Sequence, residues 1–306
     1  MTNSAAQPGY GDRRVLILNP ESGSADHGQR VRSLARERGF DVRITESAED
    51  IVETAADAAP TVDVLAAAGG DGTITRAARG IDRADALDDT LFGVVPAGTG
   101  NNFAENIGVV NIDEAFEIIA SGERRRIDIG IVNDEPFLNS VVTGLTAESS
   151  ANTDPAAKER WGVLAYVIQT LQTAAEFAGL EMTIRQEDET IRDVTASIVL
   201  VGNGRRFPLG GESQADMEDG LLDVTVIKDA SVLEHVGESL LSRLGERTNE
   251  NVERFKTPEL EVRIEGKPDS ISIDGEILTA PTLALHVREK TLWLPVGDEY
   301  EPEPDV

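Results

Sequence analysis

The chain has 306 residues, 40% of them hydrophobic, with 56 acidic against 28 basic residues and no cysteine. That length carries one large or two ordinary domains with a sizeable core, and the missing thiols exclude disulfides, thiolate zinc sites and cysteine nucleophiles. A formal net charge of -28 leaves no basic stripe to displace counterions, which excludes nucleic acid as a partner.

The first 126 residues alternate strand and helix signals. "RVLILN" (14–19) is a short apolar run, followed by the turn-like "PESGSADHG" and a helical segment over about 28–38. "FDVRIT" (40–45) alternates as a strand, and "SAEDIVETAADAA" (47–59) opens a helix on Ser47 as N-cap. "VDVLAAAG" has no polar alternation and reads as a strand buried on both faces, with a helix after it. "LFGVVPAG" (91–98) is the next strand, a helix opens near Asn101, and a further helix over 111–121 ends at Gly122. Strands and helices joined in this order predict a parallel sheet covered on both faces, with ligands at the carboxyl ends of the strands. Three of those ends carry "NPESG", "GGDGT" and "GTGNN".

After about residue 126 the pattern changes. "RIDIGIVNDEPFLNSVVTG" predicts two strands around the "NDE" turn, and one long helix follows over about 155–178. Its apolar stretch "WGVLAYVIQTLQTAAEFAGL" (161–180) is interrupted by Gln169, Thr170, Gln172, Thr173 and Glu176, so it reads as a wide buried face and not a membrane span. Then come "EMTIRQEDETIRDVTASIVLVGNG", "LLDVTVIKD", "ELEVRIEG", "DSISIDGE", "TLALHV" and "TLWLPV", broken by a helix near 231–244. Strands at this spacing predict an antiparallel sandwich or barrel. The tail "DEYEPEPDV" reads as disordered, and the N-terminal "MTNSAAQPGYGD" lacks the apolar and basic regions of a signal peptide.

The glycine turns carry the chemistry. Gly69, Gly70 and Gly72 permit positive φ and close ligand approach, and Thr73 is placed to cap the following helix, whose free N–H groups favour anions. Asp71 beside a phosphate would repel it unless a divalent cation lies between them. Alone, "GGDGT" fits either a structural turn or a metal-nucleotide site. "GTGNNFA" repeats the logic one strand later, with Gly98 and Gly100 around Thr99 and with Asn101 and Asn102 at a helix start. Neither turn is a Walker A loop or a dinucleotide fingerprint.

"NPESG", "GGDGT", "GTGNNFA", "DMEDGLLDV" (216–224) and "DGE" (274–276), in this order, resemble the diacylglycerol kinase catalytic family, which includes bacterial lipid kinases and is similar to sphingosine and ceramide kinases. The resemblance spans almost the whole chain. It implies an N-terminal doubly wound α/β domain with a parallel sheet, then an antiparallel β-sandwich domain, with ATP and Mg²⁺ in the cleft between them. The implied boundaries are a flexible 1–11, a nucleotide-binding domain over 12–126, a β-sandwich over 127–290, and a segment over 291–306 that returns to the first domain and ends in a disordered acidic tail.

Carried over residue by residue, the resemblance places Asn19, Thr45, Gly69, Gly70, Asp71, Gly72, Thr73, Gly98, Thr99 and Asn101 around the nucleotide, with Asp71 acting through Mg²⁺. It assigns Asp216, Asp219 and the backbone carbonyl of Leu221 to a Mg²⁺ that orders the second domain. Glu276 becomes the base that takes the proton from the attacking lipid hydroxyl. The chain departs from the family's "G-T-x-N-D-F-A-R" turn, with Asn102 in place of the aspartate and Glu105 in place of the arginine. These changes remove a carboxylate near the metal and a positive charge near the phosphates while leaving the backbone cradle.

The expected activity is ATP-dependent phosphorylation of a diacylglycerol-like lipid presented at a membrane surface. At molar salt the Debye length is about 3 Å, so acids spread along the whole chain point to a salt-adapted cytoplasm; in a host that makes ether-linked lipids, a dialkylglycerol is an alternative acceptor to a diacylglycerol. The resemblance also implies a homodimer and transient membrane association. Two other readings stay open: an NAD kinase, which shares "GGDGT", and a nucleotide-binding regulator with an eroded site.

Overall fold

The computed structural model describes residues 13–23, 25–145, 180–186, 191–205, 214–228, 252–264 and 269–304. The helices predicted over about 155–178 and 231–244, including most of the apolar stretch read against a membrane span, lie outside these residues. Among the described residues no helix is long and apolar enough to cross a membrane. The chain divides into one unit of residues up to Ile127 plus Lys290–Glu301, and a second of Asp128–Glu289 plus Pro302–Val306.

The first unit runs β1 (Arg14–Leu18), α1 (Ala25–Glu37), β2 (Asp41–Ile44), α2 (Ala48–Ala58), β3 (Val64–Gly69), α3 (Asp71–Arg83), β4 (Leu91–Pro96), α4 (Asn102–Asn106) and α5 (Ile112–Ser121). Its strands pair in parallel in the order β2-β1-β3-β4. Every residue of β3 and β4 is buried, as a parallel sheet covered on both faces demands. The strand order reverses between β1 and β3, which is where crevices open in such sheets. Ser47 caps α2, its hydroxyl accepting from the Asp50 amide at 3.1 Å, and Asn111 caps α5, accepting from the Glu114 amide at 2.9 Å. Helices α2 and α3 cross at Gly80, where a Cβ would lie 2.4 Å from the Val52 carbonyl oxygen.

The remaining strands are β5 (Glu123–Val132), β6 (Glu135–Phe137), β7 (Ser140–Leu145), β8 (Leu180–Gln186), β9 (Ile191–Ala196), β10 (Ile198–Gly202), β11 (Leu222–Ile227), β12 (Val252–Thr257), β13 (Glu259–Ile264), β14 (Asp269–Ile273), β15 (Glu276–Ala280) and β16 (Thr282–Val296). They form two six-stranded sheets, ordered β12-β11-β10-β7-β14-β15 and β6-β5-β16-β13-β8-β9. The second unit is a β-sandwich-like domain. Phe137, Met182, Val199, Val224, Val262, Ile271 and Leu283, from both sheets, share one buried core.

Four expectations change. The stretch over 126–144 forms three strands, not two: Asn133 and Asp134 both take positive φ (49° and 70°), so β6 returns tightly, and a second break at Leu138–Asn139 precedes β7. "TLALHV" and "TLWLPV" are one continuous strand, β16, which passes through Lys290 at φ 48°. Strand β12, "VERFKT", is an addition to the predicted strands, its charges masking the strand pattern. The tail is ordered at its start: Tyr300 is 7% exposed, and its amide donates to the Gly297 carbonyl at 3.2 Å.

Overpacking a filled contact strains backbone and rotamers. Gly80→Val is therefore expected to cost about 1–3 kcal/mol of unfolding free energy, measured as an earlier urea midpoint. An unchanged midpoint would contradict the α2–α3 contact.

Candidate active site

The three glycine turns of the first unit interlock at the carboxyl ends of β1, β3 and β4. The Asn19 side-chain amide donates to the Thr73 hydroxyl at 3.1 Å, and the Ser22 and Thr73 hydroxyls lie 3.3 Å apart. The Asp71 amide donates to the Gly100 carbonyl at 3.1 Å, and the Ala97 amide to the Gly69 carbonyl at 3.0 Å. A Cβ on Gly98 would lie 2.2 Å from the Gly70 Cα, and one on Gly23 would lie 2.1 Å from the Ala97 carbonyl oxygen. Gly69, Gly70, Gly72, Gly98 and Gly100 are not among the positive-φ residues. Their expected freedom to take positive φ is therefore not used. At Gly70 and Gly98 the missing side chain lets backbone pack on backbone.

Thr73 does not cap α3 as expected. The N-cap is Gly70, which makes no side-chain capping bond, and Thr73 lies within the first turn, 3% exposed. Helix α3 thus begins without a side chain on its leading N–H groups, in a turn lined by the Ser22 and Thr73 hydroxyls. That donor set fits an anion such as a nucleotide phosphate.

The Asp71 carboxylate is fully engaged by N–H donors at the start of α4. Its Oδ1 accepts from the Phe103 amide at 2.8 Å, and its Oδ2 from the Asn102 amide at 3.1 Å and the Asn102 side-chain amide at 2.8 Å. The charge is spent on the amides that open α4, and the bond ties the β3 turn to the β4 turn. Asn102 is therefore a donor at a place where an aspartate could only accept. Asn101 closes its own turn, its Oδ1 accepting from the Gly98 amide at 3.1 Å and its Nδ2 donating to the Gly98 carbonyl at 3.0 Å. Thr99 is exposed. Thr45 follows β2 but is 2% exposed, with its hydroxyl directed at the Leu18 carbonyl at 3.4 Å, so it ties the ends of β1 and β2. Arg76, unremarked in the sequence, brings Nη1 within 3.0 Å of where a Cβ of Gly72 would stand.

In the second unit, Glu276 opens β15 immediately after the Asp274–Gly275 turn and is half-buried. The unforeseen residue is Asp274. It is 9% exposed, and its carboxylate accepts from the amides of Leu138 at 2.7 Å, Asn139 at 2.9 Å and Ser140 at 2.7 Å. This bond set draws the backbone out of the β6–β7 path and locks the turn, at φ 47° for Asp274 and 91° for Gly275, that sets the register of Glu276. Asn203 stands beside it: its Nδ2 donates to the Asp128 and Leu138 carbonyls, both at 3.1 Å. The Oδ1 atoms of Asn139 and Asn203 are buried without a partner. Nothing but spacing marked Asp274, and the bonds that reveal its role span 134 to 136 residues.

The acidic loop is also in the second unit. Asp216 Oδ1 accepts from the Glu218 amide and Asp219 Oδ1 from the Leu221 amide, both at 2.9 Å, while Asp219 Oδ2 accepts from Lys256 Nζ at 2.7 Å. The Gly220 amide donates to the buried Asp128 carboxylate at 2.7 Å. Burial raises the Asp216 carboxyl above its ordinary range, the Glu218 amide opposes this, Asp219 adds to it and Lys256 opposes it. Burial works against the charged Lys256 ammonium, yet Asp219, Asp223 and Asp216 together hold its pKa above the ordinary lysine value. Among the described residues no three His, Asp or Glu side chains gather as a metal-holding group. With an ammonium already on Asp219, the residues present do not fit the Mg²⁺ that the resemblance assigns to Asp216, Asp219 and Leu221.

A parallel α/β unit with interlocked glycine turns, followed by a β-sandwich, is an architecture of phosphotransferases. Residues 13–132 match the diacylglycerol kinase catalytic domain, and residues 139–295 match the YegS C-terminal NAD kinase beta sandwich-like domain. The chain belongs to the diacylglycerol kinase catalytic family of lipid kinases. It is 27% identical to the diacylglycerol kinase of Bacillus subtilis over 278 residues, covering 86% of this chain and 89% of that protein. It is 30% identical over 280 residues to a "probable lipid kinase YegS-like" protein of Stenotrophomonas maltophilia, covering 87% and 90%. Two solved Bacillus anthracis structures share the fold. One has a TM-score of 0.80 at 22% identity and covers 95% of this chain and 98% of that chain. The other, described as a diacylglycerol kinase, has a TM-score of 0.70 at 18% identity and covers 96% and 100%.

Two substitutions test the geometry. Asn102→Asp sets a carboxylate against Asp71 and is expected to cost about 1–3 kcal/mol in low salt, seen as a lower thermal midpoint that rises again with ionic strength; a salt-independent midpoint equal to wild type would contradict the clamp. Asp274→Ala leaves three buried amides unpaired, at about 1–3 kcal/mol for each buried group left without a partner, and is expected to speed amide exchange over 138–140. Unchanged exchange there would remove Asp274 from its assigned role.

Proposed function

We propose that this protein transfers the γ-phosphoryl group of ATP to the hydroxyl of a diacylglycerol-like lipid, ester- or ether-linked, at a membrane surface. The observation that carries this reading is the uncapped start of α3 inside the interlocked turns. The Gly72 amide, between the Asp71 and Thr73 amides that donate to the Gly100 and Gly70 carbonyls, binds a phosphate oxygen at the start of α3, and the Asn19, Ser22 and Thr73 side chains orient it. Asp71 keeps the β4 turn closed on the β3 turn, and Gly69, Gly70, Gly72, Gly98, Thr99 and Asn101 shape the seat. Magnesium ATP, when bound, supplies a phosphoryl group whose developing charge the metal neutralises.

Glu276 takes the proton of the acceptor hydroxyl on its carboxylate, held in register by the Asp274 turn. Leu278, 48% exposed and two residues from Glu276 on the same face of β15, gives the acceptor's hydrocarbon an apolar contact beside that carboxylate. This supports a lipid acceptor over a dinucleotide.

Incubation with γ-labelled ATP and Mg²⁺, lipid extracts containing ester and ether glycerides, and NAD tests the reading. Label is expected in a lipid phosphate, and Glu276→Gln is expected to lose about 10²-fold or more in turnover. Label in NAD phosphate, or full activity of Glu276→Gln, would overturn the acceptor or the base respectively.

A further inference from the structure

The acidic loop has a cation, and the chain itself provides it. Lys256 lies on β12 directly opposite Asp223 of β11, within six consecutive cross-strand pairs from Leu222↔Thr257 to Ile227↔Val252. That register brings the two side chains onto one face of the sheet and delivers the ammonium to the loop that precedes β11. Its Nζ lies 2.7 Å from Asp219 Oδ2 and 3.7 Å from Asp223 Oδ2. The side chains of Asp219 and Asp223 are 21% exposed and that of Lys256 is 32% exposed, so solvent screens the cluster only in part.

Two further oxygens of the loop are also engaged. Asp216 Oδ1 and Asp219 Oδ1 accept from backbone amides inside the loop, and Gly220 is tethered through its amide to the buried Asp128. A Mg²⁺ ion needs near-octahedral oxygen ligands at about 2.0–2.1 Å. It would have to share Asp219 Oδ2 with an ammonium that the strand register holds there, and two cations on one oxygen repel. A lysine is well suited to replace the ion: a compact point charge on a flexible arm, with three donors for several carboxylates.

We propose that Lys256 is the resident cation of the Asp216–Leu221 loop, so that the second unit orders this loop without divalent metal. The inference concerns the loop alone and stands whichever lipid is phosphorylated.

Thermal unfolding of the full chain decides it, with chelator and MgCl₂ arms compared at matched ionic strength so that general screening cancels. The wild-type midpoint is expected to be the same in both arms. Lys256→Met is expected to melt lower in chelator and to gain about 5–10 °C, saturably, with Mg²⁺. Adding Asp219→Asn to that variant should abolish the gain, which locates the ion on the loop. Lys256→Arg keeps the charge and should stay indifferent to Mg²⁺. A saturable Mg²⁺ response of the wild type that Asp219→Asn removes would overturn the proposal, as would a folded Lys256→Met protein with no Mg²⁺ response. Should Lys256→Met fail to fold in either arm, the wild type and Lys256→Arg decide: indifference of both supports the proposal, and a response in either refutes it.

Discussion

The carboxylate of Asp71, shared among three N–H groups at the start of α4, is the bond on which the cradle depends. It solves two problems together. It neutralises the one negative charge in a turn whose neighbours favour anions, and it pulls the end of β4 against the end of β3. The second effect forces Gly98 onto Gly70, where any side chain would collide. Once those backbones touch, Thr73 is left facing Asn19 and Ser22, and α3 starts with no side-chain cap. The junction of the two turns follows from one charge-assisted contact and two glycines.

The same device recurs in the second unit. Asp274 collects three amides and so fixes the turn that carries Glu276. Asp128, 1% exposed, accepts from Gly220, and Asp216 and Asp219 each accept from their own loop. A chain of net charge -28 cannot rely on a surplus of cations to balance its interior acids. It uses amide dipoles instead, and adds Lys256 where several acids meet. Hydrogen bonds to a charged acceptor contribute about 1.5–3 kcal/mol each, so these few contacts weigh heavily against a marginal total stability.

What the sequence made legible was whatever is local. The continuous apolar runs at Val64–Gly69 and Leu91–Pro96 announce fully buried strands, and Ser47 announces its helix. The positions of the three glycine turns follow from those strands and from the order of elements. The purpose of the glycines was not legible, because it depends on which backbones meet across 28 residues of sequence, as Gly70 and Gly98 do. The third strand near Phe137 was hidden for a related reason: the break before β7 is made by Asp274, 134 residues beyond Ser140. Lys256 sits in "VERFKT", whose charges mask a strand pattern, and only the pairing of β12 with β11 delivers its ammonium to Asp219. Thr45, which the resemblance places at the nucleotide, directs its hydroxyl at the Leu18 carbonyl, a contact 27 residues away in sequence that no local pattern announces.

The central claim is that the turns at 69–73 and 98–103 form one preassembled phosphate seat held by Asp71. Amide hydrogen exchange of the full chain, with and without magnesium ATP, tests it most directly. The account predicts that amides 102 and 103 exchange slowly before nucleotide is added, because the Asp71 carboxylate already holds them, and that the Gly72 amide slows when ATP binds. Fast exchange at 102 and 103 in the free protein, with no ATP effect at Gly72, would contradict it.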